Sequence, residues 1–309
     1  MKIIFMGTPK FAVTLLSSLI NKHEIVLVVT KEDSIDRKGK VIESDVSIYA
    51  NTNNLTLLKP HDLILEKNNI IKYEADLIIT AAYGMFLPNE IINHPKIAAI
   101  NVHGSLLPKR RGAAPVQRAI MEGDNKTGIS IIYMTDKMDA GNILYQKEVD
   151  IDINDSSDMM FEKLSFLAIE CLEIVLKKLE KNEITMIVQD ETKVTFSPVL
   201  KRVDELIDFG LDVLIVHNRI RGLESNPGAY TYLDKEIYKI HISKIVNYDF
   251  VDTPGKVIKI NKDSFDVACK TGIIRIFELT PPGKRRMDVK SYLNGKNKIS
   301  IGVNFKKEI

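Results

Sequence analysis

Asn101 and His103 stand two residues apart at the end of an apolar run, residues 97–102. If that run is a strand, both side chains leave the same face. An amide donor beside an imidazole can stabilise an oxyanion and manage a proton. The same pair also suits a polar strand end whose imidazole is satisfied by backbone groups. A second polar stretch, Met134-Thr135-Asp136-Lys137-Met138-Asp139-Ala140-Gly141, offers two carboxylates ahead of a glycine. A carboxylate beside His103 would orient the ring and stabilise a proton on it. Spacing does not choose between Asp136 and Asp139, and Asp-x-Gly is also ordinary turn chemistry. No Ser or Cys with a base at hand presents itself as a nucleophile. Direct transfer is therefore expected, rather than a covalent enzyme intermediate.

These residues need a scaffold that gathers strand ends. The chain opens with a short buried-strand pattern, Lys2-Ile3-Ile4-Phe5-Met6, then Gly7-Thr8-Pro9 and helical spacing over residues 11–20. Thr8 is a candidate N-cap and Pro9 a first helical residue. Further apolar runs at 24–30, 76–82 and 97–102 alternate with helical stretches, which predicts a parallel sheet covered on both faces. Ligands of such sheets gather beyond the carboxyl ends of the strands. Residues 129–134 and 143–149 read as two strands joined by too short a gap for a crossover helix, so an antiparallel pair is expected. Asp155-Ser156-Ser157 can start a helix reaching about residue 180, with Cys171 on its apolar face. Residues 31–40 read as a polar loop. Residues 189–209 are polar with little period and read as a linker. After a short helix at 211–221, strand-like runs at 230–233, 237–246, 255–260, 264–268 and 273–279 are punctuated by turn residues. That pattern predicts a small OB-like barrel.

Composition narrows the function. The chain has 309 residues, enough for about two domains at ~150 residues each. Its longest uncharged apolar stretch, residues 77–87, is far too short to span a bilayer, and the first residues lack a signal-peptide pattern. Two cysteines almost 100 residues apart, Cys171 and Cys269, form no metal or redox pair by spacing and suit a reducing cytoplasm. No metal is expected. The first turn carries one glycine where a dinucleotide fingerprint needs three, which argues against a nicotinamide cofactor. Net charge is +2 overall but uneven: −5 over residues 1–209 and +7 over 210–309. The basic last third fits an anionic partner, or simply a Lys-rich surface. Within it, Lys284-Arg285-Arg286 after Pro281-Pro282-Gly283 could form a phosphate-contacting tip or a solvated loop.

Asn101-Val102-His103-Gly104-Ser105-Leu106-Leu107-Pro108, followed by Arg111-Gly112-Ala113-Ala114-Pro115 and Gln117, resembles the folate-dependent formyltransferases. Residues 128–144, the opening FMGTPKFA, the stretch Ala82-Tyr83-Gly84 to Leu87-Pro88, and Gln189-Asp190-Glu191 with Thr195-Phe196-Ser197-Pro198 are similar too. The likeness is closest to the branch that formylates methionyl-tRNA, and it spans the chain.

The resemblance implies an α/β fold, with a Rossmann-like N-terminal formyltransferase domain and a C-terminal OB-like β-barrel. The implied division is a catalytic domain over 1–188, a linker over 189–209 and a tRNA-binding domain over 210–309. The implied reaction moves a formyl group from 10-formyltetrahydrofolate to the amino group of methionine on initiator methionyl-tRNA. It involves no membrane and no obligate protein partner. Asn101 and His103 would polarise the formyl oxygen, and the family's Asp-x-Gly element falls on Asp139. Tyr83, Gly84, Leu87, Pro88, Ser105, Leu106, Leu107, Pro108, Met138, Ala140 and Gly141 would line the folate. Arg37, Lys38, Lys40, Arg202, Lys284, Arg285 and Arg286 are the candidate tRNA contacts. The chain departs from the family at Leu223-Glu224-Ser225-Asn226-Pro227, where a Trp-containing turn is usual, and it has no Trp. Two other readings compete. A sugar nucleotide would use the same chemistry on another acceptor. An RNA-binding protein on an inactive scaffold would use only the basic region.

Overall fold

The computed structural model describes residues 1–36 and 39–306. Among them the chain forms two compact units. The first comprises residues 1–115, 127–149 and 161–198; the second comprises 116–126, 150–160 and 199 onwards to the last described residue.

The first unit is built on a seven-stranded sheet. Its strands are β1 (Lys2–Gly7), β2 (Glu24–Val29), β5 (Leu57–Leu58), β6 (Leu77–Ala81), β7 (Ala98–His103), β8 (Lys126–Tyr133) and β9 (Ile143–Asp150). Their order is β5-β2-β1-β6-β7-β8-β9. β1 pairs in parallel with both β2 and β6, and β6 in parallel with β7, while β8 runs antiparallel to β7. A two-stranded hairpin, β3 (Ser34–Ile35) and β4 (Val41–Ile42), stands apart from this sheet. It lies where the sequence reads as a polar loop. Two residues per strand, Ile35 and Val41 both exposed, leave no apolar alternation to detect.

Helices follow the strands: α1 (Lys10–Leu19), α2 (Asp45–Thr52), α3 (Lys67–Ile71), α4 (Asn89–Ile92), α5 (Pro115–Met121) and α6 (Ser157–Glu180). α1 buries Ala12, Leu15, Leu16 and Leu19, which fall on one helical stripe. Its N-cap is Pro9, with no side-chain cap bond. The Thr8 hydroxyl, expected to cap it, donates instead to the carbonyl of Tyr83 at 3.0 Å. Ser156 caps the start of α6, its Oγ accepting from the Met159 amide at 3.3 Å. Cys171 on that helix is fully buried, and burial pushes its thiol up to about 11, as suits a core residue.

The second unit holds α7 (Val213–Gly222), β10 (Ala229–Leu233), β11 (Glu236–Asn247), β12 (Val257–Ile260), β13 (Phe265–Ala268), β14 (Ile273–Thr280), β15 (Met287–Asp288) and α8 (Val289–Leu293). The strands pair antiparallel in the order β10-β11-β14-β13-β12, with β15 on β14. The last described residues join the two edges. Val257 donates to the Val303 carbonyl at 2.8 Å, and Lys306 and Tyr232 exchange bonds at 2.8 and 3.0 Å. This seam links the two edge strands through isolated bridges, in the manner of an OB-like barrel. Phe305, within the seam, stacks on Phe265 at 6.0 Å between centroids and meets Tyr238 edge-on at 5.9 Å.

His217 on α7 is 2% exposed, with Nδ1 2.9 Å from Ser243 Oγ and Nε2 3.0 Å from the Ile153 carbonyl. Burial lowers its pKa to about 4. The folded state thus holds a neutral imidazole, while the unfolded chain takes a proton near ~6.5. Its contribution is fully present above that pH and is lost as pH falls towards 4. Unfolding free energy should therefore drop between pH 6.5 and 4, by roughly 3 kcal/mol at most from this residue. Denaturant titrations at stepped pH should show a flatter profile for His217→Gln. An unchanged profile would mean that other groups carry the acid sensitivity.

Candidate active site

In the first unit, strand order reverses between β1 and β6, because β2 lies on one side of β1 and β6 on the other. Such a switch point opens a crevice beyond the carboxyl ends of the strands. Thr8 at the end of β1 is bonded to Tyr83 after β6, so the two loops are tied together there. The turn after β6 places Ala82 at φ +45° and Gly84 at φ +74°, both left-handed. Such residues concentrate at functional sites, where their surroundings hold the strain.

Asn101 and His103 emerge from the neighbouring end of β7. In the parallel register Thr80 lies opposite Asn101. Its hydroxyl donates to Asn101 Oδ1 at 2.8 Å. That bond fixes which way the amide faces and leaves Nδ2 with two hydrogens to place. One goes to Asp139 Oδ1 at 3.3 Å. Asp139 Oδ2 accepts from the Gly112 amide at 2.8 Å and stands 3.6 Å from His103 Nδ1. The other ring nitrogen, Nε2, donates to the Arg110 carbonyl at 3.0 Å. His103 and Asp139 side chains are only 6% and 12% exposed, so their interaction is weakly screened. The structure thus brings Asp139 to the pair, whereas Asp136 is exposed.

Two features of the chain put Asp139 there. Its backbone is left-handed, at φ +53°, a conformation that Asp tolerates better than most residues. Two residues on, Gly141 packs so tightly that a Cβ would lie 1.8 Å from the Tyr133 carbonyl oxygen. Only glycine lets this turn fold back on β8.

The folate candidates divide by exposure. Tyr83, Leu87, Ser105, Leu107 and Gly141 are buried; Pro88, Leu106, Pro108 and Ala140 are half-buried; Gly84 and Met138 are exposed. The Tyr83 hydroxyl is buried and makes no hydrogen bond among the described residues, and burial raises its pKa. Ser105 is tied up in its own loop, its hydroxyl donating to the Lys109 carbonyl at 2.8 Å. Leu107 packs with Ile132 and Ile143, and its carbonyl accepts from Gln146 at 2.7 Å.

Among the tRNA candidates, Arg37 and Lys38 lie outside the described residues, and Lys40 is exposed. In the second unit, Arg202 lies over the Tyr230 ring at 3.6 Å and pairs with Glu205. Lys284 and Arg285 are exposed, with the Lys284 ammonium 5.8 Å from the Tyr292 ring centroid. Arg286 is exposed too but already paired: Nε meets Glu278 at 2.7 Å and Nη2 meets Glu224 at 2.9 Å.

Three residues around Asn101, His103 and Asp139 carried no assigned role in the sequence: Thr80, Arg111 and Gln189. Arg111 is 5% exposed and its guanidinium reaches Gln189 Oε1 and Glu191. That contact holds the Glu191 carboxyl below the usual carboxylate range. An arginine buried to this degree needs partners, and it finds them in Glu191 and Gln189.

Comparison with known proteins gives the family. The formyl transferase family matches residues 1–176, and the formyl transferase C-terminal domain matches residues 200–297. The chain belongs to the formyl transferase family. Relatives that match it from end to end are methionyl-tRNA formyltransferases. That of Staphylococcus epidermidis is 39% identical over 97% of this chain and 98% of its own. That of Pediococcus pentosaceus is 42% identical over 95% and 93%. Among solved structures, HypX from Aquifex aeolicus in complex with tetrahydrofolic acid aligns with a TM-score of 0.70 at 15% identity, over 97% of this chain and 50% of that one. The N-formyltransferase from Helicobacter canadensis, in complex with folinic acid and dTDP-3-aminofucose, aligns with a TM-score of 0.68 at 17% identity, over 93% and 100%. At those identities the structural likeness speaks for the fold.

The Gly141 packing gives a test of the turn. Gly141→Ala must push the added carbon against a backbone oxygen, which should cost about 1–3 kcal/mol of stability. Because the same movement displaces Asp139, turnover should fall at least about tenfold. Thermal unfolding and single-turnover assays read the two effects. A stable, fully active variant would show that the turn does not hold the carboxylate.

Proposed function

We propose that this folate-dependent formyltransferase moves the formyl group of 10-formyltetrahydrofolate to the methionine amino group of initiator methionyl-tRNA. The product is formylmethionyl-tRNA for translation initiation. The observation that carries the chemistry is the Asp139 carboxylate, which gathers Asn101, His103 and the Gly112 amide at the ends of the sheet. The choice of acceptor is supported by the 39–42% identity to methionyl-tRNA formyltransferases over nearly the whole chain.

The folate would lie along residues 83–88 and 138–141. Main-chain groups of a left-handed turn at Ala82 and Gly84, with the exposed apolar side chains of Phe86 and Met138, suit a flat heterocycle edged with donors and acceptors. When bound, 10-formyltetrahydrofolate supplies the formyl carbon, and its N10 departs with a proton. Asn101 offers its second Nδ2 hydrogen to the formyl oxygen, where negative charge gathers as the amine attacks. Its orientation is set beforehand by Thr80, so little reorganisation is needed. His103 and Asp139 take the proton released by the attacking amine, at Nδ1 and Oδ2, and return it to the departing nitrogen.

The reading assigns formyl transfer to residues 1–188 and tRNA binding to residues 210–309, joined by 189–209. It puts the reaction in the cytoplasm, where translation starts. Among the described residues no helix is long and apolar enough to cross a membrane. The net charge of +7 on residues 210–309 supports a polyanionic partner there.

Asn101→Ala, His103→Ala and Asp139→Ala should each lower kcat by about 10²-fold or more, with tRNA affinity little changed. Asp136→Ala should be mild. Formylation of methionyl-tRNA, run beside a UDP-amino sugar as acceptor, tests chemistry and substrate together. Preference for the sugar would overturn the acceptor. Near wild-type turnover in all three variants would overturn the site.

Neutralising Lys284 and Arg285 together should reduce the log–log salt dependence of tRNA binding by at most about two units, since each phosphate contact contributes ~0.7–0.9. Arg286, held by Glu224 and Glu278, should add little when neutralised. An unchanged slope for the Lys284 and Arg285 pair would make that tip a solvated loop.

A further inference from the structure

The stretch at residues 189–197 belongs to the first compact unit and is bonded to both sides of the Asn101, His103 and Asp139 site. Gln189 is 6% exposed. Its amide nitrogen donates both hydrogens into the turn that carries Asp139, one to the Asp139 carbonyl at 2.7 Å and one to the Gly141 carbonyl at 2.8 Å. Its amide oxygen accepts from Arg111 Nε at 3.1 Å and Nη2 at 2.9 Å. All four of its hydrogen-bonding positions are thereby used.

The same stretch also grips the other side of the site. Arg111 exchanges backbone bonds with Thr195 and Ser197, at 2.9 and 2.7 Å. Arg110 donates to Thr195 Oγ1 at 2.9 Å, and Ala114 to the Ser197 carbonyl at 3.1 Å. These contacts hold the Arg110 carbonyl, which accepts from His103, and the Gly112 amide, which donates to Asp139. The backbone at Gly112 lies so close to Ser197 that a Cβ there would meet its carbonyl oxygen at 2.6 Å.

We propose that Gln189 is a positioning residue for formyl transfer: it holds the left-handed Asp139 turn against the Arg111 loop, so that one carboxylate meets His103, Asn101 and Gly112 at once. This rests on the reading that Asp139 acts at the reacting atoms. A bonded ring carries it: Gln189 to the Asp139 main chain, the Asp139 side chain to Gly112, and Arg111 back to Gln189. Glutamine suits the place for a chemical reason. Glutamate would turn both donors into acceptors facing two carbonyls, although it would keep Arg111 as a partner. Asparagine is one methylene too short to reach both sides.

The test uses the full-length enzyme with 10-formyltetrahydrofolate and methionyl-tRNA. Gln189→Ala should lower kcat by about 10- to 100-fold, the scale of a displaced catalytic group, with KM for methionyl-tRNA within about twofold of wild type. Gln189→Glu should lose at least as much turnover while retaining its thermal midpoint better than Gln189→Ala, because Arg111 stays paired. The deciding measurement is the double variant. Placed on Asp139→Ala, Gln189→Ala should cost less than about a further twofold, since residues acting through one another are not additive. Multiplying losses would overturn the proposal, and so would a folded Gln189→Ala with kcat near wild type. If both single Gln189 variants fail to fold, the residue is structural and the proposal falls. An unmodified enzyme that formylates no methionyl-tRNA would instead overturn the functional reading on which this rests.

Discussion

The carboxylate of Asp139 receives N–H groups from Asn101 and Gly112 and stands against the ring of His103, all within a nearly closed site. The ends of strands β6 and β7 and the loops at 110–112 and 189 deliver those groups to one carboxylate. A buried carboxylate without donors is expensive, whereas one that accepts two N–H bonds beside an imidazole is compensated. The arrangement is therefore held by the chain's own groups. A preorganised site needs little rearrangement as charge develops, and that is the largest part of what a protein can contribute to acyl transfer. The parallel register of β6 and β7 makes this possible, because it puts the Thr80 hydroxyl opposite Asn101 and turns the amide the right way round.

Much of this was legible in the residues, for reasons that also explain what was not. Asn101 and His103 showed themselves because strand period 2 is simple and they interrupt an apolar run. Strands β10 to β14 were legible to within a residue or two, since turn dipeptides such as Asp234-Lys235 and Thr271-Gly272 mark their ends, whereas β15, only Met287–Asp288, has no alternation to detect. Asp139 could not be told from Asp136 by spacing, because a left-handed turn and the approach of the Tyr133 carbonyl to Gly141 decide between them. Thr80 looked like any β-branched residue in a buried strand. The hydroxyl of Thr8 fits a cap by local rules, yet a partner 75 residues away takes it. Residues 189–197 carry no period because their bonds run to distant loops, so pattern alone reads them as a connection. The seam that links the edge strands, at residues 303–306, rests on single bridges and offers no alternation.

Charge was legible only in sum. The basic excess of residues 210–309 is real, but formal counting treats every Lys and Arg alike. In the folded second unit some of them are already spent. Arg286 bridges Glu224 and Glu278, and Arg275 forks onto Asp266 at 2.7 and 2.9 Å. A guanidinium in such a pair has little left for a phosphate, because each new contact competes with a short internal one. The field of the domain still attracts a polyanion from a distance. Lys284, Arg285 and Arg286 are all exposed, but Glu224 and Glu278 already hold Arg286, so a phosphate would meet less competition at the other two.

A polar site on an apolar sheet has few ways to be built. Strand ends supply side chains that leave one face, but each brings polar atoms that burial would penalise. Here one such atom, Asn101 Oδ1, is met within the sheet by Thr80, and the others find partners in loops: His103 in Arg110, Asn101 Nδ2 and Gly112 in Asp139, Asp139 and Gly141 in Gln189. The loops are in turn stapled to one another, by Thr8 at Tyr83 and by Arg111 at residues 195–197. Left-handed residues at Ala82, Arg110 and Asp139 are where the chain yields so that these bonds can form together. The strain is local and the restraints come from several segments, so no single loop can relax without breaking bonds in another. Orientation of an amide and an imidazole is thus a property of the whole bonded network, which is why a glutamine far along the chain can bear on a reaction it does not touch.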